Sequence, residues 1–143
     1  MGRILGLDVG DKTIGVAVSD ELGWTAQGVT TVQRQGKKHD LAALSELIER
    51  YAVTEILVGL PKHLNNSLGE QAEKVQQFAR SLEGRFYPIP ITLWDERLST
   101  LSAERVLLDA DVSRKKRKHV INTLAAVVIL QNYLDFKESL ATP

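Results

Sequence analysis

The stretch Ile4-Leu5-Gly6-Leu7-Asp8-Val9-Gly10-Asp11-Lys12-Thr13-Ile14-Gly15-Val16-Ala17-Val18 limits the possible folds more than any other part of the chain. Two apolar runs flank a short turn that holds Gly10 and Asp11, which predicts two strands tightly joined. The first run is apolar on both faces apart from Asp8, so it predicts a strand buried on both sides in the middle of a sheet. A carboxylate at the end of such a strand is costly unless a metal ion, a cation or backbone N–H groups meet it. Asp8 is therefore the first candidate for function.

The remaining elements follow in order. Trp24 to Val32 is rich in β-branched residues and predicts a third strand, and Arg34 to His39 a loop. Asp40 is placed to cap a helix whose buried stripe is Leu41, Leu44, Leu47, Ile48 and Tyr51. Glu55 to Pro61 predicts a buried strand. Ser67 and Glu70 have capping-box spacing for a helix carrying Leu68, Ala72, Val75, Ala79 and Leu82, ended by Gly84. Pro90 to Trp94 is a further strand running into Asp95-Glu96-Arg97. Ser99 or Thr100 would cap a third helix to Ala110, Asp111 to His119 reads as a charged connection, and Val120 to Leu134 as a buried final helix. The expectation is an α/β fold with a mixed five-stranded sheet: an antiparallel three-strand meander plus two parallel strands, flanked by helices.

A chain of 143 residues suits one domain. Its expected extent is 1–137, with 138–143 a frayed C-terminal tail. The 18 Lys and Arg balance the 18 Asp and Glu, so any case for a nucleic-acid partner must be local. The absence of cysteine excludes disulfides, zinc–thiolate sites and cysteine catalysis, and fits a reducing compartment. No signal-peptide pattern and no apolar run of membrane-spanning length is present, so the expected location is the cytoplasm.

In open sheets of this kind, sites form beyond the carboxyl ends of the parallel strands. That rule brings Asp8 towards Asp95 and Glu96. Converging carboxylates repel unless a cation holds them. Mg²⁺ or Mn²⁺ suits oxygen ligands, and such an ion activates water and stabilises the leaving oxygen in phosphodiester cleavage. Neighbouring residues at a strand end point to opposite sides, so one of Asp95 and Glu96 faces the site and the other is placed to pair with Arg97.

Gly6-Leu7-Asp8-Val9-Gly10-Asp11-Lys12-Thr13-Ile14-Gly15-Val16-Ala17, then Val58-Gly59-Leu60-Pro61, then Asp95-Glu96-Arg97-Leu98-Ser99-Thr100 together resemble the YqgF family. This bacterial ribonuclease H-like group is assigned to pre-16S rRNA processing and was once proposed to resolve Holliday junctions. The resemblance spans nearly the whole chain. It implies a ribonuclease H-like fold, a divalent-metal nuclease site containing Asp8, Asp95 and Glu96, and a role at the 5′ end of small-subunit rRNA. Members carry a third acid, an Asp, near the start of the final helix. The matching position here is Asn122, which offers a neutral oxygen and no charge.

Arg114-Lys115-Lys116-Arg117-Lys118 concentrates five positive charges ahead of the final helix. It reads either as a solvated loop or as a phosphate-backbone contact, joined in the second case by Lys12 and Arg97. His63 reads as a solvated loop residue, and Trp24 and Trp94 as core or sheet-face residues. Three functions compete. The first is a metal-dependent endonuclease acting on structured RNA, or, as a close variant, on branched DNA. The second is a non-catalytic RNA- or ribosome-binding module, suggested by Asn122. The third is a nucleotide-binding ATPase, since Asp8 to Thr13 also resembles the phosphate loop of actin-like kinases. Monomer and homodimer both remain open.

Overall fold

A computed structural model describes residues 2–60, 69–95 and 114–141, without the side chains of 114–122 and 139–141. His63, the Ser67 capping box, Glu96, Arg97 and the expected third helix lie outside the described residues. The elements are β1 (Arg3–Val9), β2 (Thr13–Ser19), β3 (Ala26–Gln33), α1 (Lys37–Arg50), β4 (Val53–Leu60), α2 (Glu70–Phe86), β5 (Ile91–Asp95) and α3 (Arg114–Ala141).

The strands form one five-stranded sheet in the order β3-β2-β1-β4-β5. β2 runs antiparallel to both β1 and β3. β4 runs parallel to β1 and to β5. The mixed sheet expected from the sequence is thus present, with β1 at its centre.

Both faces of β1 are covered, which its apolar composition requires. Leu5, Leu7 and Val9 join Ile56, Val58 and Leu60 under Leu44 of α1 and Val75 and Leu82 of α2. On the other face Ile4, Ala17 and Leu57 meet Ala126, Ile129, Leu130 and Leu134 of α3. α3 lies close to the strands because two glycines admit it. A Cβ on Gly6 would stand 3.0 Å from Leu130 Cβ, and one on Gly28 would stand 2.6 Å from Thr123 Cγ2. Gln131 fastens the same helix to the sheet edge: it accepts the Ala26 N–H at 2.9 Å and donates to the Trp24 carbonyl at 2.9 Å.

The observed elements depart from expectation in four places, each with a local cause. α1 begins at Lys37 after Gly36, so Asp40 lies in its first turn instead of capping it. The Asp40 carboxylate is drawn inward by Arg34 and by the Gln35 N–H. α2 continues through Gly84 to Phe86. A helical glycine costs only about 1 kcal/mol, and the extra turn buries Phe86. Arg114 to His119 is helical and continuous with the apolar segment, in place of a charged connection, and the helix runs on to Ala141. Lys and Arg are good helix formers, so charge alone does not interrupt it. Trp24 is 65% exposed instead of packed. It stands in the β2–β3 turn, where the Asp20 carboxylate accepts its N–H at 2.7 Å and that of Thr25 at 3.2 Å. Trp94 does pack, with ring centroids 5.2 Å from Tyr133 and 5.3 Å from Phe136.

The close approach of α3 predicts a contrast between two glycines. Gly28→Val should destabilise the protein by about 1–3 kcal/mol, the usual cost of overpacking. Gly84→Ala, where a Cβ meets nothing within 4 Å, should stabilise it by roughly 0.5–1 kcal/mol. Thermal and urea denaturation of the two variants measures both effects.

Candidate functional site

Asp8 sits one residue before the carboxyl end of β1, directly opposite Gly15 of β2. On the other side Leu7 pairs with Val58 of β4, so the next rung sets Gly59 beside Asp8. Residues opposite one another in a sheet share a face. The Asp8 carboxylate is therefore bordered on both neighbouring strands by residues without side chains. Alternation along β1 puts it with Ile4 and Gly6 on the face that α3 covers.

The same rung continues to β3, where Thr31 stands opposite Gly15. Thr31 Oγ1 lies 2.8 Å from Thr123 Oγ1 of α3. That hydrogen bond pins the early part of α3 over the rung that carries Asp8. Asn122 immediately precedes Thr123 in the helix, and its side chain is outside the described residues.

Asp95 ends β5 opposite Leu60. It shares the carboxyl end of the sheet with Asp8, but not its face. Trp94 packs on the α3 side and Ile91 on the α1–α2 side, so alternation gives Asp95 to the α1–α2 side. Both acids stand at the carboxyl end of the sheet, on strands separated by β4. Among the described residues, no three His, Cys, Asp or Glu side chains come together in a group able to hold a metal.

The turn that follows Asp8 is held by contacts the sequence did not reveal. The Gly10 N–H donates to the Thr13 carbonyl at 2.8 Å. The Arg34 guanidinium donates to the Gly10 carbonyl at 2.7 Å and to Asp40 at 3.0 Å. The Arg34 N–H donates to the Lys12 carbonyl at 2.9 Å. Asp40 in turn accepts the Gln35 N–H at 3.1 Å and lies 3.3 Å from His39 Nδ1. From α2, Gln71 reaches the Val9 carbonyl at 3.4 Å and Lys74 comes within 3.5 Å of Asp11. Arg34 also lies over the Phe78 ring, 5.1 Å from its centroid. Lys12 is exposed at the tip of this turn.

Asp40 is fully buried. Burial pushes its carboxyl up, but the Arg34 guanidinium, the Gln35 N–H and His39 outweigh that, and its pKa lies below the ordinary value. Reading Arg34 as a loop residue and Asp40 as a cap missed this pair. The available signal was a charged pair closely flanking the start of an amphipathic helix.

A mixed five-stranded sheet of this order, with helices on both faces and an acid near the end of its central strand, defines a ribonuclease H-like protein. Residues 2–136 match the family described as RuvX, Holliday junction resolvase, and the chain belongs to that family, the YqgF group. A protein from Geobacillus sp. (strain WCH70) is 57% identical over 138 residues, covering 95% of this chain and 99% of its own length. One from Moorella thermoacetica is 59% identical over 133 residues, covering 93% and 94%. Both carry the name "Putative pre-16S rRNA nuclease". Among solved structures, Thermus thermophilus RuvC in complex with Holliday junction substrate aligns with a TM-score of 0.58 at 12% identity, over 97% of each chain. The fowlpox virus Holliday junction resolvase aligns with a TM-score of 0.56 at 11% identity, over 94% of this chain and 99% of its own. At those identities the likeness is one of fold. No helix among the described residues is long and apolar enough to cross a membrane.

The Arg34–Asp40 pair predicts an acid-limb effect. Removing one partner of a buried pair costs about 3–5 kcal/mol, so Asp40→Ala should lower stability by that order. A depressed folded-state pKa stabilises above the unfolded value, about 3.9, and that stability is lost as pH falls through the folded value. Urea unfolding between neutral pH and pH 3 should therefore show a steeper acid decline for wild type than for Asp40→Asn.

Proposed function

We propose that this protein is an endonuclease that hydrolyses phosphodiester bonds in structured RNA, processing the 5′ end of pre-16S rRNA in the cytoplasm. The observation that carries the reading is Asp8, opposite Gly15 near the carboxyl end of the central strand, in a RuvX-family chain. The names of relatives at 57% and 59% identity favour RNA as the substrate.

The reading assigns Asp8, Asp95 and Glu96 to catalysis and to a metal, with Asn122 adding a neutral oxygen. These donors are all oxygen, without histidine or cysteine, which fits a hard cation such as Mg²⁺ or Mn²⁺. When bound, the ion supplies water activation and charge stabilisation on the leaving oxygen. Asp95 enters this reading as a residue at the same end of the sheet as Asp8. The Arg34 contacts hold the turn after Asp8, and hence the direction in which Lys12 leaves it. Lys12, Arg97 and the run Arg114 to Lys118 are assigned to substrate phosphates, a contact that adds affinity without sequence reading.

A second substrate, four-way DNA, is favoured by the family's description as Holliday junction resolvases. Competition between a precursor rRNA fragment and a DNA junction separates the two, and RNA is expected to win.

Asp8→Asn should abolish Mg²⁺- or Mn²⁺-dependent cleavage of a precursor rRNA fragment while leaving the melting temperature within a few degrees of wild type. Full activity in that variant would overturn the assignment. Asn122→Asp should increase cleavage and lower the Mn²⁺ concentration needed for half-maximal rate. If only Asn122→Asp cuts, the wild-type protein is an RNA-binding module and not a nuclease.

A further inference from the structure

The face of the molecule opposite α3 carries a basic cavity that the catalytic reading does not use. It lies between the start of α1 and the middle of α2, with a volume of about 490 Å³. Arg34, Lys37, Lys74 and Arg80 line it, with Gln77 and Phe78 between them. We propose that this groove is a second nucleic-acid contact, binding the phosphodiester backbone of the substrate as it leaves the Asp8 end of the sheet.

The charges in the groove are not equivalent. Arg34 is committed to Asp40 and to the Gly10 carbonyl. Lys74 approaches Asp11 at 3.5 Å and Glu70 at 3.9 Å, but all three side chains are more than half exposed. Pairs of that kind contribute about 0–1 kcal/mol and yield readily to a phosphate. Lys37 and Arg80 are exposed and form no ion pair among the described residues. The N-terminus of α1 lies at the same place, with Gly36 offering no side-chain cap and Asp40 already in the first turn.

The spacing favours a polymer over a single phosphate. Lys74 and Arg80 are six residues apart on α2, about 9 Å along its axis, and the cations reach the cavity on long flexible side chains. Among the described residues no buried donor converges on one point, as a closed site for a small anion would require. One lining residue also links the groove to the Asp8 end of the sheet. Lys74 reaches Asp11 in the turn that follows Asp8, and Lys12 stands at the tip of that turn. A strand crossing the carboxyl end of β1 and passing over this turn meets Lys12, then Lys74, then Lys37 and Arg80. The sequence concealed the arrangement because these cations come from separate segments that no charge run connects.

This inference rests on the nuclease reading for its ligand, and the test separates the two. Lys37→Ala, Arg80→Ala and the double variant are compared with wild type and with Arg50→Ala. Arg50 lies at the far end of α1, paired with Glu46, and its removal matches the charge change outside the groove. Fluorescence anisotropy with a labelled precursor rRNA fragment, without divalent ions, gives Kd across a KCl series, and melting temperatures check folding. Each single groove variant should reduce the slope of log K against log salt by about 0.7–0.9, and the double variant by about twice that. Arg50→Ala should match wild type. Equal affinity and slope in wild type and the double variant would overturn the groove and leave the nuclease reading intact. A loss of affinity shared by Arg50→Ala would overturn it as well, by reducing it to net charge. Absence of any RNA or junction-DNA binding by wild type would overturn both readings together. Competition by inorganic phosphate at concentrations that leave ionic strength unchanged would assign the groove to a small anion and overturn the backbone contact.

Discussion

Everything in this fold depends on a central strand that must be dry on both sides. Ile4, Leu5, Leu7 and Val9 leave β1 no face to offer water. A helix layer is therefore needed above and below it, and the chain supplies α1 and α2 on one side and α3 on the other. Gly6 and Gly28 set how near α3 comes, because a methyl group at either position meets a helix side chain at 3.0 Å or less. The one acid in this strand stands near its end, opposite Gly15, and is only half-buried.

The same glycine connects packing to chemistry. Gly15 stands opposite Asp8, and Thr31, one strand further along the rung, ties α3 to this level through Thr123. Electrostatics then stiffen the connection. The buried Asp40 carboxylate holds Arg34, and Arg34 holds the carbonyl of Gly10. The turn next to the site is thus braced by a charge pair 24–30 residues later in the chain, at the start of α1.

Much of this is legible in the sequence. Continuous apolar runs marked β1 and β4 as buried strands, helical spacing marked the stripes of α1 and α2, and the length of an apolar segment marked α3. The boundaries were less legible. Asp40 satisfies the residue preference for a helix cap, yet a buried arginine contact competes for the same carboxylate. Gly84 is a helix terminator by propensity, yet burial of Phe86 extends the helix beyond it. Trp24 looks like a core residue by composition, and the Asp20 turn leaves it in solvent.

The sequence by itself determined the class of fold, the family and the identity of Asp8 as the acid to watch. Periodicity and local residue chemistry are properties of neighbouring residues, so they survive without coordinates. Which face of β5 Asp95 takes, which residue stands opposite Asp8, and which cations line one groove were decided only by the tertiary structure. Those are questions of register and facing. A shift of one residue in a strand moves a side chain to the other side of the sheet, and no pattern along a single segment records how that segment is set against its neighbours.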